Sequence, residues 1–225
     1  MPVEQQLPAI EVETRGDPQY AVIWMHGLGA DGSDFVPMVP ELGLADAPGV
    51  RFIFPHAPEI SVTCNGGYVM RAWYDIIALD SSNREIDEAG IVQSREAIRR
   101  LIAHENRRGI PCARIFLAGF SQGGAVAYTT ALTHDEPLAG IIALSTYIPC
   151  GELVTREHTA ANSDIAIFAA HGRADDVVSP ELGRRARDFL VRHGYRVDWH
   201  EYPMPHAVCL EEINLLAEWL KDRLQ

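Results

Sequence analysis

Gly119-Phe120-Ser121-Gln122-Gly123 stands between an apolar run and a stretch of small residues, and it constrains the fold of this chain more than any other segment. The run Ala113–Ala118 reads as a buried strand and Gly124–Leu132 as a helix. A Gly-x-Ser-x-Gly between two such elements is a turn so sharp that only hydrogen-sized side chains fit two positions either side of the serine. The Ser121 hydroxyl then emerges at the sheet's edge with a helix N-terminus behind it, a place suited to developing negative charge. The flanking strand and helix, more than the five residues alone, carry the assignment.

The remainder alternates short apolar runs with amphipathic ones, the pattern of an α/β protein with a mostly parallel sheet. Further candidate strands are Ala9–Thr14, Ala21–Met25, Val50–Phe54, Gly140–Leu144, Ile165–Ala169 and Val197–Tyr202. Several are continuous β-branched or aromatic runs, as expected where helices cover both faces. Ile91, Ser94, Arg95, Ile98, Leu101 and Ile102 share one helix face, with Arg99, Arg100 and Glu105 turned outward. Ser179-Pro180-Glu181 orders an N-cap, an N1 proline and an acidic first turn, so a helix is expected to about His193. Leu210, Ile213, Leu216, Ala217, Leu220 and Leu224 give a last helix packed on the sheet. No repeat or linker interrupts this order, so residues 1–225 are expected to form one domain.

The longest irregular stretch runs from about Pro55 to Asp87. Loops of that length in compact domains are usually functional or carry short elements of their own. Met70, Trp73 and Leu79 are its candidate substrate-contacting residues; the competing reading is a satellite core under the loop. Asp75 is better suited to hydrogen-bonding the loop's own backbone than to chemistry.

A serine hydroxyl becomes a nucleophile only with a base in hydrogen-bond reach. Where a nucleophile elbow is present, the partners follow in the order Ser, Asp or Glu, then His, each on a loop after a later strand. Among the downstream histidines, His171 follows a strand but leaves no acid between itself and Ser121 in a suitable strand-end loop. His206 follows a strand through Pro203-Met204-Pro205 and precedes the last helix, where the base is expected. The acid is expected after Ile165–Ala169, where Asp175 and Asp176 are adjacent and position favours neither. The oxyanion needs two donors. One is expected from the backbone N–H of Gln122. The other is expected from Leu28, within His26-Gly27-Leu28-Gly29-Ala30-Asp31-Gly32, where glycines admit close backbone approach.

Composition narrows the partners. A formal net charge of −12 argues against nucleic acid or an anionic membrane as the main partner, because phosphates would be repelled. No basic segment followed by an apolar one opens the chain, and no apolar stretch approaches a bilayer span. A cytoplasmic protein is the expectation. Cys64, Cys112, Cys150 and Cys209 form no C-x-x-C pair, so neither a zinc site nor a disulfide framework is expected.

His26–Gly32, Ala72-Trp73-Tyr74-Asp75, Gly119–Gly124, the segment His171 to Asp175 and Pro205-His206 occur in an order that resembles the carboxylesterase / acyl-protein thioesterase / lysophospholipase family, and bacterial carboxylesterases in particular. The resemblance covers nearly the whole chain. It implies a minimal α/β-hydrolase fold without a large cap domain, no cofactor and no metal, and it allows a homodimer. It implies that the acid is Asp175, the base His206, and the oxyanion donors Leu28 and Gln122. Pro205 departs from the aliphatic or methionine residue that relatives often carry there. The expected activity is hydrolysis of short-to-medium-chain carboxylic esters through an acyl-enzyme. The alternatives are an acyl-protein thioesterase or lysophospholipase with the same triad, and, more remotely, a catalytically silent binding protein.

Overall fold

A computed structural model describes residues 6–79 and 84–225, with Leu79 described in its backbone only. The strands are β1 (Ala9–Glu13), β2 (Tyr20–Met25), β3 (Val50–Pro55), β4 (Glu59–Val62), β5 (Tyr68–Arg71), β6 (Ile76–Leu79), β7 (Arg84–Ile86), β8 (Ile115–Phe120), β9 (Gly140–Leu144), β10 (Ile167–Gly172) and β11 (Val197–Tyr202). The helices are α1 (Met38–Glu41), α2 (Glu88–Arg107), α3 (Gln122–Leu132), α4 (Gly151–Glu157), α5 (Pro180–Arg192) and α6 (Leu210–Lys221). Seven strands form the central sheet in the order β1-β3-β2-β8-β9-β10-β11. Only β1 runs antiparallel to its neighbour.

Alternation along β2 explains the two-sided core. Ala21, Ile23 and Met25 pack with residues of α2 and α3, while Val22 and Trp24 pack with Leu42, Leu216 and Leu220 on the α1 and α6 side. A strand apolar at every position can only sit between two helical layers. Asp87 and Ser179 cap α2 and α5 through their side chains, and Pro180 opens α5 as its sequence implied.

Several expectations shift. β8 and β10 extend further toward the site than the apolar runs suggested, because Gly119, Phe120, Ala170, His171 and Gly172 continue the ladders. A short 3-10 turn, Cys112–Arg114, precedes β8. The stretch from Pro55 to Asp87 is mostly two small hairpins, β4–β5 and β6–β7, rather than an irregular loop. Glu105 does not face outward: it is buried, 2.7 Å from Arg51 and 2.8 Å from Arg108. Two guanidiniums supply the pairing that a buried carboxylate needs.

Candidate active site

Ser121 follows β8 directly and holds φ 54° and ψ −120°, a conformation that L-residues rarely adopt. The surrounding structure over-determines it. Ser121 N–H donates to Leu144 O at 2.9 Å, and its carbonyl accepts from the Thr146 hydroxyl at 2.6 Å. A Cβ on Gly119 would lie 2.3 Å from the Gly123 carbonyl carbon, and one on Gly123 would lie 2.2 Å from Met25 O. Both glycines of the elbow are therefore steric requirements.

Asp175 lies on the turn after β10, its carboxylate fully buried. Oδ2 is 2.7 Å from Nδ1 of His206, so that nitrogen donates and Nε2 is the ring nitrogen left over. Oδ1 accepts the N–H groups of Val177 and Val178 at 2.9 and 2.7 Å. Burial pushes the Asp175 carboxyl up, but hydrogen bonds with His171 and His206 and the Val178 amide outweigh it and hold the group well below the carboxylate range. Asp176 is exposed. Between the two adjacent aspartates, only Asp175 meets His206.

The imidazole of His206 packs 4.6 Å from the ring of Phe120, the residue before the serine. Among the described residues no hydrogen bond joins Ser121 Oγ to His206; such bonds commonly tighten only once substrate is present. The loop bearing His206 is braced on the turn that carries Asp175. Arg173 N–H donates to Tyr202 O at 2.8 Å and Ala174 N–H to Met204 O at 3.1 Å. A Cβ on Gly172 would approach Met204 O and Pro205 O to 2.4 Å.

The N–H groups of Leu28 and Gln122 donate to no protein acceptor among the described residues, whereas Gly29 N–H is taken by Arg71 O at 2.9 Å. Gln122 stands at the first position of α3, where an unpaired N–H is intrinsic to helix geometry. The loop carrying Leu28 is fixed by His26, whose Nδ1–H donates to Gly27 O at 2.7 Å while Nε2 accepts Ala57 N–H at 3.0 Å. Burial pushes the His26 imidazolium pKa down, so this clamp stays neutral.

Trp73 is buried and acts as a brace. Its N–H donates to Gln122 Oε1 at 2.8 Å, and its indole N–H donates to His26 O at 2.9 Å. Gln122 Nε2 donates to Tyr74 O at 2.8 Å, and Ser94 Oγ donates to Trp73 O. The Trp73 segment thus ties both candidate oxyanion donors together, the role of a satellite core. Asp75 holds the hairpins, accepting Thr63 N–H at 2.7 Å and Thr63 Oγ–H at 2.5 Å. Met70 sits beside the candidate oxyanion loop, its sulfur 3.7 Å from where a Gly29 Cβ would be. The Leu79 side chain lies outside the described residues.

One feature of the site left no signal in the sequence. A groove of about 500 Å³ opens beside His206, walled by Phe35 and Met38, by Phe120, and by Val208 and Ile213. Its walls come from three separate parts of the chain, and only Phe120 belongs to a motif.

A serine on a strained strand-to-helix turn, and a histidine held by a buried aspartate and packed on the residue before that serine, suit a serine hydrolase of the α/β-hydrolase fold. Residues 7–224 match the phospholipase/carboxylesterase family model, and the chain belongs to that family. It is 43% identical to acyl-protein thioesterase 1 of Neurospora crassa over 90% of this chain and 86% of that protein. It is 36% identical to acyl-protein thioesterase 1 of Yarrowia lipolytica over 97% and 98%. Among solved structures it resembles Zea mays acyl-protein thioesterase 2, with a TM-score of 0.84 at 26% identity over 97% and 99% of the two chains. Arabidopsis thaliana SOBER1 gives a TM-score of 0.85 at 28% identity over 92% and 99%. Among the described residues no helix is long and apolar enough to cross a membrane.

Proposed function

We propose that this serine hydrolase cleaves thioesters of acylated proteins, with Ser121, His206 and Asp175 as its triad. Ser121 Oγ attacks the acyl carbonyl while His206 Nε2 takes its proton. The oxyanion is received by the N–H groups of Leu28 and Gln122, each such donor contributing on the order of 3–4 kcal/mol to the transition state. Collapse expels the cysteine sulfur of the substrate protein, which takes the proton from His206. Water, activated by the same imidazole, then frees the acid from Ser121. Asp175 keeps Nδ1 protonated throughout and stabilises the transient imidazolium. We assign the acyl chain to the apolar groove beside His206, and we place the activity in the cytoplasm, where the four unpaired cysteines stay reduced.

The observation that carries the catalytic assignment is the 2.7 Å contact of His206 with buried Asp175. The choice of thioester over simple carboxylic ester is supported by the acyl-protein thioesterase relatives that match over nearly the whole chain. The test is hydrolysis of an S-acylated peptide beside the p-nitrophenyl ester of the same fatty acid, with fluorophosphonate labelling. Thioester turnover that Ser121→Ala abolishes, with the label on Ser121, is expected. Ester turnover without peptide deacylation favours the carboxylesterase reading, and a label elsewhere overturns the triad.

A further inference from the structure

Three metal-ligating side chains meet at the end of the sheet opposite Ser121. Cys112 belongs to the 3-10 turn before β8; His134 and Glu136 lie in the loop after α3. Cys112 Sγ is 3.8 Å from His134 Nε2, and these atoms and a Glu136 carboxylate oxygen all lie within 4.8 Å of one another. Sulfur and nitrogen ligands of tetrahedral zinc stand about 3.6 Å apart, given their usual bond lengths. Burial is graded from Cys112, through half-buried His134, to exposed Glu136, so the cluster opens to solvent on the carboxylate side.

The loop bearing two of the donors is held in place. Asn162, itself buried, donates from Nδ2 to both His134 O and Glu136 O at 2.9 Å and accepts Leu138 N–H at 2.9 Å. Thr159 Oγ–H adds a bond to His134 O at 2.5 Å. On the other side, Asn106 Nδ2 donates to Cys112 Sγ at 3.1 Å. A divalent ion bound here would take Cys112 as its thiolate.

We propose that Cys112, His134 and Glu136 bind one zinc-type divalent cation. A thiolate, an imidazole and a carboxylate together suit zinc, with water completing the tetrahedron. Binding releases the Cys112 thiol proton to solvent and involves no redox change. Cys112 and His134 bracket β8, Ser121 and α3, so the ion would clip the two ends of the strand–elbow–helix unit and act on stability rather than chemistry. The sequence expectation against zinc rested on the lack of a C-x-x-C pair, a signal blind to donors 22 and 24 residues apart.

Titration of the full chain with Zn²⁺ and with Co²⁺ tests this. We expect one equivalent to bind, a cobalt–thiolate charge-transfer band that Cys112→Ser removes, and affinity lowered at least ~100-fold in His134→Gln, more than loss of an outer-shell partner costs. At a hundredfold excess of Zn²⁺ over Kd, Tm should rise by about 5–10 °C in the wild type and not in His134→Gln. Absence of the band in the wild type, or wild-type zinc affinity in His134→Gln, overturns the proposal. Should Cys112→Ser fail to fold, His134→Gln and Glu136→Gln, both at solvent-accessible positions, decide the matter alone.

Discussion

His171 Nε2 lies 3.4 Å from Asp175 Oδ2, the same carboxylate oxygen that meets His206. His171 is completely buried and donates Nε2–H chiefly to Val178 O at 2.8 Å. It therefore ties the far side of the Asp175 turn to the end of β10. Its Nδ1 faces Gly183 of α5, where a Cβ would approach it to 2.4 Å.

From this packing, Gly183→Ala should push His171 out of register and lower kcat by up to ~10²-fold, the scale for a displaced catalytic group. KM should change little, because neither residue borders the groove. Steady-state kinetics on any turned-over ester checks this. A kcat within twofold of wild type would show that the turn holds Asp175 without His171.

Separate Asp-to-Asn changes distinguish the neighbouring acids. Asp175→Asn should reduce kcat by as much as ~10⁴-fold, by analogy with a protease triad. Asp176→Asn, at an exposed position, should leave kcat near wild type. The reverse order would reassign the acid.

Gln122 offers a test of the brace. Gln122→Ala removes the acceptor of Trp73 N–H and the donor to Tyr74 O, both buried. A loss of about 1–3 kcal/mol in stability follows from the unsatisfied groups. Denaturant unfolding should show it, together with a fall in kcat as the two candidate oxyanion donors lose their shared tie.

Filling the groove beside His206 should separate substrates by chain length. Val208→Trp narrows it while substituting neither a residue of the proposed triad nor one of the elbow. Long-chain acyl substrates should lose kcat/KM by more than tenfold while acetyl esters hold theirs. Equal losses across the series would place the acyl chain elsewhere.

Glu212 makes stability depend on pH. Fully buried in α6, its carboxyl is pushed up to about 8 by desolvation, against a weaker pull from the Cys209 backbone. A raised folded pKa means the native state holds a proton that the unfolded chain releases near 4.5. Its contribution is fully present below about pH 4.5 and is lost as pH rises toward about 8. Glu212→Gln should flatten that decline, so its stability relative to wild type should improve from pH 5 to pH 8 in urea titrations. A parallel pH dependence in the two proteins would contradict the shift.

The sequence by itself determined the elbow, because a strand, a hydrogen-sized gap and a helix must follow one another along the chain for a serine to be presented this way. It also determined the alternation of layers, since continuous apolar strands and one-sided helices have few ways to bury their surfaces. That Ser121, Asp175 and His206 each fall in a loop after a strand was legible, and those strands are β8, β10 and β11. Position did not separate Asp175 from Asp176; the family resemblance named Asp175, and the geometry of the turn after β10 aims that carboxylate at His206. Other features were decided only by contacts between segments distant in sequence. Trp73 looks like a pocket residue until its two N–H groups are seen on Gln122 and His26. Glu105 looks solvent-facing until Arg51 and Arg108 meet it. The groove at His206 and the cluster of Cys112, His134 and Glu136 likewise draw on residues that no local periodicity links. Periodicity reports which side of an element is buried; only the packed fold decides what the buried side meets.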